Sequence, residues 1–157
     1  LMHAVGGPYD AGQAADYADV VAQVHSFLAR RVLACEFSGI NRDRLVLDPG
    51  YGFNKDPEAN FTLLARQQSL TGLGLPLLAG LSRKRCIGQA CGRELAQERM
   101  AGSLAAHLVA VQNGAMIVRT HDVAATVDGL RVWQRIAAVP APRNVQESAS
   151  SLWLDAD

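Results

Sequence analysis

The stretch LDPGYGFNK, residues 47–55, joins the end of an apolar run to a loop of unusual composition. Leu45 to Leu47 have the unbroken apolar character of a buried strand, which Asp48 and Pro49 stop abruptly. A carboxylate at such a position is costly to bury unless N–H donors satisfy it. Two interpretations follow: an Asx-turn at the Pro-Gly sequence, or recognition of a ligand edge that presents paired N–H groups.

The rest of the chain alternates apolar strand patterns with helical patterns. Predicted strands cover residues 1–3, 44–48, 75–80 and 115–123, and predicted helices cover 13–38, 60–70, 94–114 and 124–139. Asn60 is the predicted N-cap of the second helix, which Gly72 would end. Such alternation is typical of a parallel sheet covered by helices.

Polar side chains follow every predicted strand: His3, Asp48, Lys84, and Arg119 with His121. In a (β/α)8 TIM barrel the carboxyl ends of the strands converge on one mouth, whereas in an open doubly wound sheet they line a crevice. No GxGxxG or GxxxxGK[ST] sequence follows a strand, which removes support for the usual nucleotide-binding open sheets. We therefore predict an α/β fold of the (β/α)8 barrel type.

The 157 residues have room for only part of such a barrel. Residues 1–139 would form about four βα units, strands 5–8, the C-terminal half of the barrel domain. Residues 140–157 lack sustained periodicity and are predicted to be a disordered tail. Since the sequence starts without methionine and inside a strand pattern, we expect it to be the back part of a longer protein.

Composition excludes several classes of partner. The formal net charge is zero, so no global field attracts nucleic acid or an acidic membrane surface. No stretch approaches the roughly 20 apolar residues of a membrane helix. Three cysteines without CxxC spacing argue against a disulfide framework and structural zinc, and a cytoplasmic location is the resulting prediction.

Lysine is rare in this chain, which contains thirteen arginines and only Lys55 and Lys84. A compact ammonium suits a single carbonyl or ring-nitrogen acceptor better than a guanidinium does. Lys84 is therefore predicted to bind a ligand, with a solvated basic run as the alternative. Lys55, next to Asp56, is interpreted as part of a solvated pair. Phe53 would either lie against a flat aromatic ligand or fold back on the rim.

The sequence VRTHD supplies a second cationic cluster. Arg119 and His121 are two residues apart in a predicted strand and so project to the same side. Together they suit a phosphate or diphosphate. No HExxH sequence, spaced Cys/His set or paired-carboxylate glycosidase signature occurs in the chain.

In order and spacing, four motifs resemble the second half of the dihydropteroate synthase family. They are LMH at residues 1–3, LDPGYGFNK at 47–55, LLAGLSRKRCIG at 77–88 and IVRTHDV at 117–123. The resemblance extends to about Ala138 and implies a (β/α)8 barrel enzyme of folate biosynthesis. Such an enzyme, a transferase, joins 6-hydroxymethyl-7,8-dihydropterin diphosphate to para-aminobenzoate, releasing diphosphate, with Mg²⁺ assisting.

The resemblance also implies roles for individual residues. Asp48 would bind the N–H and amino edge of the pterin, and Lys84 its carbonyl and ring-nitrogen side. The remaining roles are as follows: Met2 and Gly80 line the pterin slot, Phe53 flanks the aminobenzoate channel, Arg119 covers the pterin face, and Arg119 with His121 holds the departing diphosphate. Lys84, Arg119 and His121 would be the catalytic residues. A homodimer through the last two helices is also implied.

Two features depart from the family pattern. Arg85 stands where the family commonly carries a serine near the aminobenzoate carboxylate, so it would either strengthen or block binding of that substrate. The family's first half is absent, including the expected Mg²⁺ ligands, and the isolated chain is expected to be inactive. Two alternatives remain: an inactive fragment or interaction module of a folate enzyme, and a methyltetrahydrofolate-dependent methyltransferase.

Overall fold

A computed structural model of the chain describes residues 1–5 and 15–140. Within these residues the helices are α1 (Val20–Phe37), α2 (Pro57–Ala65), α3 (Arg85–Cys91), α4 (Met100–Gln112) and α5 (Val123–Ala137). The strands are β1 (Leu77–Ala79) and β2 (Ala115–Val118), and short 3-10 helices cover Arg42–Arg44, Gln67–Leu73 and Ala96–Arg99.

Four backbone segments run parallel to one another in chain order. β1 pairs with β2 in parallel. Leu47 forms a parallel bridge with Leu77, and Met2 forms one with Asp48. The Asp48 carbonyl accepts a hydrogen bond from the His3 amide at 3.0 Å. The predicted mixed α/β class is confirmed, and the parallel pairing brings the carboxyl ends of these segments to one edge.

Several predicted boundaries are wrong. The predicted strand over 44–48 contributes bridges only at Leu47 and Asp48, and the strand over 115–123 ends at Val118. The helix over 94–114 begins at Met100, after a 3-10 turn. Helix α3 was not predicted, because its seven residues are too few for hydrophobic periodicity to identify them.

The prediction that Asn60 is the N-cap of α2 is wrong. Asp56 is the N-cap, its side chain accepts from a first-turn amide at 2.7 Å, and Pro57 occupies the first helical position. Asp followed by Pro is a stronger start signal than Asn three residues later. Asn60 is buried instead, where it accepts from the Gly52 amide at 2.7 Å and donates to the Lys55 carbonyl at 3.0 Å.

The loop that follows Asp48 is anchored in the protein core. Tyr51 is buried, and its hydroxyl donates to Gln67 Oε1 at 2.7 Å. The amide of Gln67 donates in turn to the Ala110 carbonyl of α4 at 2.9 Å. Burial raises the pKa of the Tyr51 phenol above its usual value, so the hydroxyl remains a donor. This series of hydrogen bonds fixes the loop relative to the 3-10 helix Gln67–Leu73 and to α4.

Apolar side chains of β2 and α5 are exposed. Met116 of β2 is 75% exposed, and Ile117 beside it is 40% exposed. On α5, Val132 and Ile136 are also exposed. An exposed strand with apolar side chains is typical of a surface that another protein segment covers.

The predicted division at residue 139 stays a prediction, and the predicted tail lies almost entirely in residues 141–157, outside the described ranges. Across residues 1–5 and 15–140, no helix combines the length and the apolar character needed to cross a bilayer.

Candidate functional site

Asp48 forms the predicted Asx-turn with one oxygen of its carboxylate, and recognition of a ligand edge by the other stays a prediction. Its Oδ1 accepts from the Gly50 amide at 2.7 Å, which is the predicted Asx-turn. Its Oδ2 lies 3.7 Å from Nη2 of Arg119, and the carboxylate is 15% exposed. The turn therefore uses one oxygen and leaves the other facing a cation at the edge where the strands end.

Gly50 brings this loop against the first backbone segment. Its φ is +73°, and a Cβ at this position would overlap the His3 carbonyl. Only glycine combines that backbone conformation with so close an approach.

The prediction that Lys55 forms a solvated pair with Asp56 is wrong. It is 8% exposed, and its Nζ donates to the carbonyls of Gly50 at 2.9 Å and Phe53 at 3.2 Å. Nζ also lies 3.0 Å from Nδ1 of His3. Burial lowers the pKa of Lys55 to about 8, with Lys84 acting in the same direction and Asp48 against it.

Lys84 lies against the aromatic ring predicted to flank a substrate. Its Nζ is 4.3 Å from the centroid of the Phe53 ring, a cation–π arrangement. Burial lowers the pKa of Lys84, and the charge of Arg119 lowers it further, whereas Asp48 raises it. Lys84 is the N-cap residue of α3, so the prediction that it lies in the loop after a strand is correct.

Arg119 continues the strand ladder beyond β2, because its amide donates to the Ala79 carbonyl at 3.0 Å. Its side chain lies across Gly80, where a Cβ would come within 2.5 Å of the guanidinium. The side chain is 57% exposed even though it is close to Asp48. Arg119 is therefore positioned by the absence of a side chain at position 80 and remains accessible to an anion.

His121 is exposed and is held by Ser82: its Nδ1 lies 2.8 Å from the Ser82 hydroxyl, and its amide donates to the same oxygen at 3.1 Å. Next to Ser82, Arg83 makes a two-bond ion pair with Asp122, with Nε to Oδ2 at 3.1 Å and Nη2 to Oδ1 at 2.6 Å. The loops after β1 and β2 are thus joined at two adjacent points.

A cavity of about 610 Å³ lies at this edge, with Gly80, Lys84, Arg119 and His121 among its lining residues. Met2 is adjacent through its backbone bridge to Asp48. Arg85 is exposed at the first position of α3, and within the described residues no hydrogen bond or ion pair joins its side chain to the cluster.

The electrostatics of the edge are mixed but mainly cationic. Lys84 and Arg119 lie near the half-buried carboxylate of Asp48, and Lys55 lies beneath it. A carboxylate acceptor next to an ammonium suits a flat heterocycle that presents donors on one edge and an acceptor on another. The exposed Arg119 and His121 suit an anionic group attached to it.

A family profile described as pterin binding enzyme matches residues 1–121. The chain belongs to the pterin-binding enzyme family. The match ends at His121 and so includes every predicted site residue from Met2 onward.

Relatives within the pterin-binding family agree with the predicted resemblance. The dihydropteroate synthase of Escherichia coli K12 is 43% identical over 132 residues, covering 84% of this chain and 46% of the relative. The Stenotrophomonas maltophilia enzyme is 52% identical with a TM-score of 0.88, covering 90% of this chain and 53% of that one. The Xanthomonas albilineans enzyme in complex with 7,8-dihydropteroate is 54% identical with a TM-score of 0.83, covering 89% and 50%.

The resemblance to dihydropteroate synthase is thereby confirmed, and the chain spans about half the length of the curated relatives it matches. These relatives place the pterin-binding chain in a family of TIM barrels.

Three side chains that support the strand-end cluster were not predicted as part of it: Lys55, Arg83 and Asp122. Lys55 contacts His3, which is 52 residues away, and Arg83 contacts Asp122, which is 39 residues away, so no local pattern reveals these two contacts. The rarity of lysine was a usable signal for Lys55, since the same argument had identified Lys84.

The Arg83–Asp122 pair predicts a change in acid stability. Hydrogen bonding from Arg83 lowers the pKa of Asp122 below 3.8, so the stabilisation is present above pH 3.8 and is lost as pH falls through the folded-state pKa. Asp122→Asn should flatten the acid limb of a plot of unfolding midpoint against pH. Asp128→Asn, which affects an exposed pair with Arg131 on the same helix, should leave that limb unchanged. Equal effects of the two substitutions would contradict the assignment.

Proposed function

We propose that this chain is the strand 5–8 half of a (β/α)8 barrel and carries much of the active site of a dihydropteroate synthase. That enzyme condenses 6-hydroxymethyl-7,8-dihydropterin diphosphate with para-aminobenzoate to form 7,8-dihydropteroate and diphosphate. The observation that carries the proposal is the convergence of Asp48, Lys84 and Arg119 at the ends of adjacent parallel segments. The similarity to enzymes with 4-aminobenzoic acid or 7,8-dihydropteroate bound also supports it.

The pterin would bind across the edge that these side chains form. Asp48 Oδ2 would accept from the ring N–H and amino group, in place of its contact with Arg119. Lys84 would donate to the ring carbonyl and adjacent nitrogen while its stem remains against Phe53. Met2 and Gly80 would line the slot, and Phe53 would face the aminobenzoate.

The chemical step would be dissociative. The bond from the pterin methylene carbon to the diphosphate oxygen breaks first, and the bonding electrons leave with the diphosphate. The exposed Arg119 and His121 would stabilise that negative charge. The amino nitrogen of para-aminobenzoate then bonds to the cationic methylene carbon and loses a proton. Such a reaction needs a fixed heterocycle and charge stabilisation more than a strong base.

Arg85 remains a specificity candidate within this proposal. Its exposed position at the start of α3, one residue beyond Lys84, leaves it free to reach the carboxylate of para-aminobenzoate.

Mg²⁺ does not fit the residues that the structure describes. Across residues 1–5 and 15–140, no group of three or more His, Cys, Asp or Glu side chains is arranged to hold a metal ion. Asp48 and Asp122, the carboxylates nearest the cluster, are already engaged with arginines. Any Mg²⁺ in the completed enzyme would take its ligands elsewhere.

A pterin titration of the chain tests the proposal. Binding of 6-hydroxymethylpterin, followed by fluorescence, is expected in the micromolar range (Kd ~1–100 μM). Absence of binding would favour the alternative of an inactive fragment or interaction module. The methyltransferase alternative would not require the Arg119–His121 pair, and transfer of a methyl group instead of aminobenzoate condensation would support it.

The exposed apolar surface leads to a prediction about association. We propose that α4 and α5 form a homodimer interface and that the edge strand β2 is covered in the complete barrel. The chain alone should therefore self-associate as its concentration rises, because Met116 and Ile136 are exposed. Sedimentation velocity measures this. A monomer that unfolds cooperatively at every concentration would contradict the half-barrel interpretation.

The remaining predictions concern cellular context. The cytoplasmic location and the absence of nucleic-acid and membrane partners stay predictions from composition. They are compatible with a biosynthetic enzyme that acts on small molecules.

A further inference from the structure

We infer that Lys55 is a positioning residue that fixes the loop of residues 48–53 in the conformation that recognises the pterin. The inference rests on the proposed function and adds a residue to it. Lys55 does not itself line the cavity near Lys84 and Arg119; it acts through the loop.

The hydrogen bonds of Lys55 account for all three of its protons. Nζ donates to the carbonyls of Gly50 and Phe53 at 2.9 and 3.2 Å, and its third neighbour is His3 Nδ1 at 3.0 Å. An ammonium has donors only, so His3 must accept through Nδ1 and carry its own proton on Nε2. Burial and then the Lys55 charge lower the pKa of His3 to about 4, which keeps the imidazole neutral near pH 7.

Each of these bonds connects to a side chain of the site. The Gly50 carbonyl bonded to Lys55 belongs to the residue whose amide donates to Asp48 Oδ1. The Phe53 carbonyl belongs to the residue whose ring lies against Lys84. Lys55 therefore anchors the loop of residues 48–53 at two points, Gly50 and Phe53. His3, in the first backbone segment, anchors Lys55 in turn.

The charge on Lys55 does not serve folding stability. The groups that face it are His3, Tyr17, whose ring centroid is 5.9 Å away, Lys84 and Asp48, and burial outweighs the attraction of Asp48. The unfolded chain keeps this proton up to about pH 10.5 and the folded chain up to about pH 8. The contribution of Lys55 to stability should therefore rise between pH 8 and 10.5 and be lowest below pH 8, where the lysine is charged. A buried charge that is kept at such a cost indicates a role in the site.

Lys55 and Lys84 are the only two lysines in the sequence, which allows a direct test. The full chain labelled with ¹³C at lysine Cε should give two side-chain NMR signals, and Lys55→Met identifies one of them. We expect the Lys55 signal to titrate near pH 8. The amide signals of Gly50, Gly52 and Phe53 should change with the same midpoint in the wild-type chain and not in Lys55→Met. Amides that do not follow Lys55 would overturn the inference.

The binding measurement uses 6-hydroxymethylpterin with the same proteins. Below pH 8, Lys55→Met should bind about tenfold more weakly or worse, because two loop carbonyls lose their donor. The ratio of wild-type to variant affinity should decrease above pH 8 without reaching 1, because the neutral amine keeps two of its three N–H donors, and this ratio cancels ionisation of the pterin itself. A constant ratio of 1 would overturn the inference. Arg44→Met, at an exposed site, is the control.

The two measurements separate this inference from the proposed function. If neither protein binds pterin but the loop amides titrate with Lys55, the function fails while the positioning role stands. If the wild-type chain binds pterin and the amides are independent of Lys55, the function stands and the positioning role fails.

Discussion

Asp48→Asn should weaken pterin binding by about 100-fold or more. Asparagine keeps the shape of the side chain and an oxygen that can accept from the Gly50 amide, so the Asx-turn should survive. The second oxygen becomes an NH₂ group, which faces Arg119 and the donor edge of the pterin instead of accepting from them. Loss of two charge-assisted hydrogen bonds explains an effect of this size. Titration with 6-hydroxymethylpterin measures it.

The matched control is Asp43→Asn in the exposed 3-10 helix Arg42–Arg44. It removes the same charge from the chain without touching the strand-end cluster, so binding should remain at the wild-type level. Equal affinities for wild type and Asp48→Asn would show that Asp48 serves the turn alone.

Gly50→Ala should have the largest effect on stability, destabilising the fold by about 3 kcal/mol or more. Alanine at position 50 would have to adopt a left-handed backbone conformation, φ +73°. Its Cβ would also overlap the backbone carbonyl of His3. A backbone atom cannot rotate away as a side-chain end can, so the loop and the first segment must separate. The same movement would displace the amide that donates to Asp48. Urea unfolding followed by circular dichroism measures the effect.

Gly39→Ala isolates the contribution of backbone conformation. Gly39 has a similar φ of +79°, but a Cβ there would meet no atom within 4 Å. Its substitution should cost about 1 kcal/mol. The two variants should therefore differ by about 2 kcal/mol or more, and equal destabilisation would contradict the close packing of the loop on His3.

The strand ends were predictable because they depend on short-range patterns. An apolar run that stops at Asp48, and basic residues directly after two later runs, determine which side chains reach the edge once the strands are parallel. The structure brings Asp48, Lys84 and Arg119 together as this pattern requires. The absence of a side chain at Gly80 also lets the Arg119 guanidinium lie close to the backbone at that position.

The interior support of the site was not predictable in the same way. Lys55 was interpreted from its neighbour Asp56, whereas its partner His3 is 52 residues away. Arg83 was considered only as a sequence neighbour of Lys84, whereas its partner Asp122 is 39 residues away. Such contacts depend on which strand lies beside which, and a single sequence does not carry that information. Asn60 is a different case: the Asp56-Pro57 signal for the helix start was present and was overlooked.

The most direct test of the central claim is activity in a completed barrel. Joining the chain to the amino-terminal half of the Stenotrophomonas maltophilia enzyme, which is 52% identical over the shared part, would supply strands 1–4 of the proposed barrel. Formation of 7,8-dihydropteroate from the dihydropterin diphosphate and para-aminobenzoate is then measured by chromatography. We expect turnover that Asp48→Asn and Arg119→Ala abolish and Asp43→Asn preserves. A folded hybrid that binds both substrates and forms no product, or one that is indifferent to substitution of Asp48 and Arg119, would contradict it.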